Sequence, residues 1–269
     1  MICLKDYGIE PLATFDCGQC FRWQTDHEGN YVGVAGGRVG IIKDGVLDCT
    51  PDDEPFWREY FCLDMDYENM QRELVKRDKT LDKCIEYGKG IRLLNQDLWE
   101  TTVSFIISAN NNIPRIRKIV EQLCTQFGEK IELKGRVYYE FPTAKRLAGL
   151  ECEDLSELKA GYRDRYIIDA AKKFASGEIS AEKLEEMSTD EARKALMSIV
   201  GVGRKVADCI LLFALRRYEV FPRDVWINRV MENVYSVNAK ESLSFAEERY
   251  KELAGLAQQY LFYYYRDNN

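Results

Sequence analysis

The sequence predicts an α+β fold: an antiparallel β-sheet domain over residues 1–95 leaning on a helical body over 96–269. Three observations carry that prediction. Short β-like runs crowd the first fifty residues, helical periodicity dominates from Leu98 onward, and strands precede helices instead of alternating with them.

The strand runs are FRWQT at 21–25, YVGVAG at 31–36, RVGIIKD at 38–44 and GVLDC at 45–49. Each alternates or carries Val and Ile, and Asp/Gly turn signals fall between them. A first helical pattern covers about 67–76. Helices then follow over 98–108, 113–127, 163–176, 180–187, 189–198, 204–216 and 225–234, with one long helix over 244–265.

At 269 residues the chain is longer than one typical domain, and 46% hydrophobic content supplies packed cores. Nothing resembles a signal peptide or an 18-residue apolar span, so a soluble, intracellular monomer without a membrane role is expected. Nine irregularly spaced cysteines point to a reducing compartment. Cys17-Gly-Gln-Cys20 forms a CxxC, but no second CxxC follows and His27 is the only histidine. Zinc would lack ligands, so the pair is expected to be structural and no metal site is assigned.

The net charge of −7 speaks against a general nucleic-acid binder, yet the charges segregate. Residues 52–100 hold 13 acidic against 8 basic side chains, whereas 196–229 hold six basic against three acidic. Residues 108–118 add three basic side chains and no acid. Such a basic strip on an acidic body holds phosphate locally, with salt-sensitive affinity.

Segment 196–229, LMSIVGVGRKVADCILLFALRRYEVFPRDVWINR, concentrates the chemistry. Gly201-Val202-Gly203 permits a tight hairpin whose backbone N–H groups point outward and suit a phosphate. A well-capped helical corner uses the same residues, so the pattern alone decides nothing. Lys205 follows directly, in the first turn of a helix, where the dipole and partial burial both disfavour ammonium and favour the nucleophilic amine. Asp224 comes 19 residues later, after Pro222, where a helix N-cap is expected.

GVGRKVADC followed by FPRDV resembles the helix–hairpin–helix, Gly/Pro loop and aspartate signature of base-excision DNA glycosylases. GQCFRW at 18–23, SANNNIPRI at 108–116, GYRDRY at 161–166 and LAQQYLF at 256–262 extend the likeness over nearly the whole chain. Together they resemble the 8-oxoguanine DNA glycosylases of the bifunctional glycosylase/lyase type. The resemblance implies a TBP-like N-terminal sheet on an all-helical body, with the hairpin at about 196–215. It also implies a last helix that returns to the cleft beside Lys205. No cysteine follows Cys209, so the iron–sulfur cluster of some relatives is excluded, and no redox cofactor is implied. A potassium or sodium ion at the hairpin carbonyls is compatible with the pattern.

The implied chemistry is attack of Lys205 on C1′ of a deoxyribose, then loss of the base, a Schiff base and β-elimination. Asp224 would stabilise positive charge at C1′, alongside its capping role. The base must be flipped out to be reached. The resemblance assigns the base pocket to Gly18, whose carbonyl meets the N7–H of 8-oxoguanine, with Gln258 on the Watson–Crick edge and Phe262 stacking. It adds Cys209 as a wall, with a Lys⁺/Cys⁻ dipole towards Lys205; a buried core cysteine is the plain alternative. Tyr162 would wedge into the duplex, while Asn110, Arg115 and Arg163 would hold the estranged cytosine. Phosphate contact competes as a role for the two arginines.

Two positions depart from the family pattern. Trp226 stands where a histidine is common, and Tyr265 where an acidic residue is. The partner expected is therefore double-stranded DNA containing 8-oxoguanine opposite cytosine. Two rivals remain: a glycosylase for another damaged base, which generally lacks the hairpin lysine, and a non-catalytic helix–hairpin–helix module. The module would not require Lys205, Asp224, Gln258 and Phe262 together.

Overall fold

The computed structural model describes residues 1–268; residue 269 lies outside the described residues. The chain opens with β1 (Ile2–Cys3) and α1 (Pro11–Asp16). There follow β2 (Trp23–Thr25), β3 (Tyr31–Ala35), β4 (Arg38–Lys43) and β5 (Val46–Asp48). These strands form one antiparallel sheet in the order β1-β5-β4-β3-β2. Its buried face and α2 (Glu54–Tyr60) enclose a small core of Ile2, Leu4, Phe15, Trp23, Ile42, Leu47, Trp57 and Phe61. Phe15 stacks on Trp23 at 4.3 Å between ring centroids.

Two further helices, α3 (Tyr67–Arg77) and α4 (Thr80–Tyr87), precede the body. Their buried residues Tyr67, Leu74, Leu81 and Cys84 join the core of the body instead of that of the sheet. The two cores interleave along the first 95 residues: Leu94 packs with the sheet, whereas Ala13, Cys17 and Phe21 pack with the body. The body comprises α5 (Leu98–Ser108), α6 (Ile113–Phe127), β6 (Lys130–Leu133), β7 (Arg136–Tyr139), α7 (Ala144–Ala148) and α8 (Asp164–Ala175). It continues with α9 (Ala181–Glu186), α10 (Thr189–Leu196), α11 (Arg204–Ala214), α12 (Val225–Asn233), α13 (Ser242–Tyr250) and α14 (Ala254–Asp267).

Three expectations need correction. The body is not all-helical, since β6 and β7 pair as a hairpin around Lys134 (φ 51°) and Gly135 (φ 75°). That two-residue turn with positive φ at both positions matches strand twist, and the flanking residues alternate apolar and polar. The final helix is not continuous: Lys251, at φ 52° and ψ −127°, breaks it into α13 and α14. Helices α1, α2, α4 and α7 and strand β1 escaped the sequence reading; at two to eight residues each they repeat the apolar pattern too few times to stand out.

Candidate active site

Lys205 stands in the first turn of α11, whose N-cap is Gly203. The preceding turn needs its glycine. Gly201 has φ +85°, and a Cβ there would lie 2.3 Å from the Tyr166 ring of α8. Asp169 of the same helix accepts from Val200 N–H at 2.8 Å, which ties the hairpin to α8. Behind it, the buried Asp208 of α11 accepts from Arg193 of α10 at 2.5 Å and pairs with Arg204 at 3.6 Å. The helix that carries Lys205 is thereby fixed from two sides.

The Lys205 side-chain nitrogen lies 5.2 Å from the centre of the Phe105 ring, and Phe105 stacks on Phe213 at 5.5 Å. Asp224 is the N-cap of α12: its Oδ1 accepts from Ile227 N–H at 2.8 Å. Lys205 and Asp224 line one cleft of about 700 Å³ together with Gly18, Phe105, Asn110, Trp226, Phe262 and Arg266. A nucleobase fits such a space. Gly18, at φ +83°, turns its face to Phe262; a Cβ on it would meet Phe262 Cε1 at 3.3 Å.

Cys209 lies one turn beyond Lys205 and is buried. Burial pushes its thiol up to about 11, against the pull of the neighbouring Lys205. Burial thus works against the thiolate half of the Lys⁺/Cys⁻ pair that the resemblance implies. Gln258, 6% exposed, sits one turn before Phe262. Neither Cys209 nor Gln258 is among the residues that line the open cleft; both stand behind its wall.

The three consecutive asparagines each have a task. Asn110 adopts φ 50° and is exposed at the cleft. Asn111 donates to Ile107 O at 3.2 Å at the end of α5, and Asn112 N-caps α6 by accepting from Arg115 N–H at 3.0 Å. Arg115 is exposed and donates to Lys159 O at 3.1 Å; Tyr162 is 49% exposed. Arg163 differs from expectation. It is buried, stacks on Tyr162 at 4.5 Å, and donates to Ala109 O (from Nε, 3.1 Å) and Ala160 O (3.0 Å). A guanidinium engaged in this way braces the asparagine loop and is not free for a base.

Residues 1–102 match the family described as 8-oxoguanine DNA glycosylase, N-terminal domain, and residues 103–256 match the HhH-GPD superfamily of base excision DNA repair proteins. The chain belongs to this superfamily. Among solved structures, MBOgg1 in complex with a low affinity DNA ligand is 44% identical, with a TM-score of 0.92 over 97% of this chain and 93% of that one. The Clostridium acetobutylicum 8-oxoguanine glycosylase/lyase, in complex with dsDNA containing cytosine opposite to 8-oxoG, is 39% identical at a TM-score of 0.91, with the same coverage. The N-glycosylase/DNA lyase of Saccharomyces cerevisiae is 36% identical over 84% of this chain and 68% of its own length.

In this HhH-GPD protein the structure brings Gly18, Asn110, Lys205, Asp224 and Phe262 to one cleft. It leaves Arg115 and Tyr162 outside the lining and holds Arg163, Cys209 and Gln258 beneath the surface. Phe105 and Arg266 line the cleft too, although sequence reasoning missed them. Phe105 reads as an ordinary core position, and only the position of Arg266 one turn beyond Phe262 hinted at it. Trp226 lines the cleft with Arg229 at 5.1 Å from its ring, whereas Tyr265 is buried against Tyr264 and 5.2 Å from Lys83. Among the described residues, no three His, Cys, Asp or Glu side chains gather as metal ligands, and no helix is long and apolar enough to cross a membrane.

Proposed function

We propose that the chain is a bifunctional DNA glycosylase and lyase that excises 8-oxoguanine opposite cytosine. The observation that carries this reading is the shared cleft of Lys205, Asp224, Gly18 and Phe262, which is large enough to admit a flipped nucleotide. The flipped nucleotide enters with its base against Phe262 and Gly18. The Lys205 nitrogen bonds to C1′ as the C1′–N9 bond breaks, and the base leaves with a proton. Asp224 stabilises the positive charge that develops on the sugar, its fixed cap geometry aiming the carboxylate. The C1′–O4′ bond then opens, the lysine nitrogen giving up its proton as O4′ becomes a hydroxyl, and loss of a C2′ proton from the resulting imine expels the 3′ phosphate, leaving a nicked strand. The hairpin N–H groups hold backbone phosphate, and Tyr162, Asn110 and Arg115 face the gap and the orphaned cytosine. The protein acts as a monomer and needs no redox cofactor. A potassium or sodium ion at the hairpin carbonyls would strengthen the phosphate grip and enters no step.

Borohydride trapping on a duplex with 8-oxoguanine opposite cytosine tests the reading. A covalent adduct forms with the wild type and is lost in Lys205→Gln. Binding without an adduct in the wild type would return the chain to a DNA-holding module.

A further inference from the structure

Resting on the reading that Gly18 offers its carbonyl to the flipped base, we propose that Gln259 and Arg266 are positioning residues that fix the direction of that carbonyl. They thereby set selectivity for a purine with hydrogen at N7. The carbonyls around Gly18 are each claimed by a donor from another element. Phe15 O accepts from Arg117 of α6 at 3.1 Å, and Asp16 O from Arg266 Nη1 at 2.7 Å. Cys17 O accepts from Gln259 Nε2 at 2.6 Å, and Gln19 O from Gln96 Nε2 at 2.8 Å. Among the described residues no donor reaches Gly18 O.

The consequence follows from peptide geometry. A glycine at φ +83° leaves the backbone around it permissive, so the place from which its carbonyl projects depends on how the flanking planes are held. Here the plane before Gly18 is anchored through Cys17 O and the plane after Gln19 through Gln19 O, so the Cα–Cα axis of the plane between them is held and the Gly18 carbonyl projects from a fixed place. The Asp16 carboxylate adds a second anchor, with Arg117 at 3.2 Å and Arg266 at 3.9 Å. Gln259, Phe262 and Arg266 lie on one face of α14, at i, i+3 and i+7. The helix that presents the stacking ring therefore also aims the carbonyl. An acceptor held in advance discriminates between N7–H and an N7 lone pair without reorganisation.

The test uses the full chain with Gln259→Met, Arg266→Met and Arg266→Lys. Single-turnover excision of 8-oxoguanine is compared with cleavage of an abasic-site duplex, which has no base to read. Each Met variant should lose about tenfold more on the lesion than on the abasic site, the order of one misaligned hydrogen bond. Arg266→Lys, which keeps a donor, should recover most of that loss. The Arg266 pair keeps the test informative if buried Gln259→Met fails to fold. Parallel loss on both substrates, or no loss on either, overturns the proposal. Binding of 8-bromoguanine, which has a C8 substituent but no N7 hydrogen, isolates the underlying reading. A wild type that binds it as tightly as 8-oxoguanine removes the Gly18 acceptor and this proposal with it. A discriminating wild type whose variants keep the lesion-to-abasic ratio sinks the proposal alone.

Discussion

Asp224 caps α12, and substitution can separate that role from the chemistry proposed for the same carboxylate. Asn keeps an acceptor for Ile227 N–H, so Asp224→Asn should hold stability to within about 0.5 kcal/mol while excision falls at least ~10²-fold. Asp224→Ala should lose about 1 kcal/mol of stability as well. Equilibrium unfolding beside single-turnover kinetics reads both, and an Asn variant with wild-type excision would remove Asp224 from the chemistry. Lys205, Asp224 and the glycine hairpin were legible because local sequence governs them: a turn, a first helical turn and a cap. Arg163 was not, because its state depends on which carbonyls a distant loop presents. The protonation of Cys209 was equally hidden, since burial sets it and spacing does not reveal burial.

Among the elements, the hairpin between α10 and α11 tolerates least change. Gly201→Ala places a methyl group against Tyr166 in a left-handed backbone and should cost ~2–4 kcal/mol, with weakened duplex binding. Thermal unfolding and a binding titration check this, and an alanine variant with wild-type values in both would show that the turn relaxes freely. Long periodic helices were legible nearly to the residue, as at Leu98–Ser108 and Ile113–Phe127. Both carry an N-cap side chain, Asp97 and Asn112, that marks their start. The break at Lys251 was invisible because apolar spacing runs through it, and only the backbone conformation shows that the chain turns there.

At the scale of the whole molecule, buried acids make stability depend on alkali. Burial holds Cys209 at about 11, and Cys17, Cys84, Cys124 and Tyr260 at about 12. Unfolded thiols ionise near ~8.5 and tyrosine near ~10. The unfolded chain therefore releases these protons first. Their contribution is complete below about pH 8.5 and drains away as pH rises through the folded values. The urea midpoint should fall steeply from pH 8 to pH 10.5, and a flat midpoint would mean that these groups are solvated.

The selectivity face joins the two ends of the chain: Gly18 lies near the start, whereas Gln259, Phe262 and Arg266 lie on the last helix. The same helix buries Leu256, Ala257, Tyr260 and Leu261 in the core of the body and packs on α12, which Asp224 caps. On the proposed reading, discrimination hangs on contacts between residues 242 and 250 positions apart, so it is acquired only once the whole body has folded around the last helix.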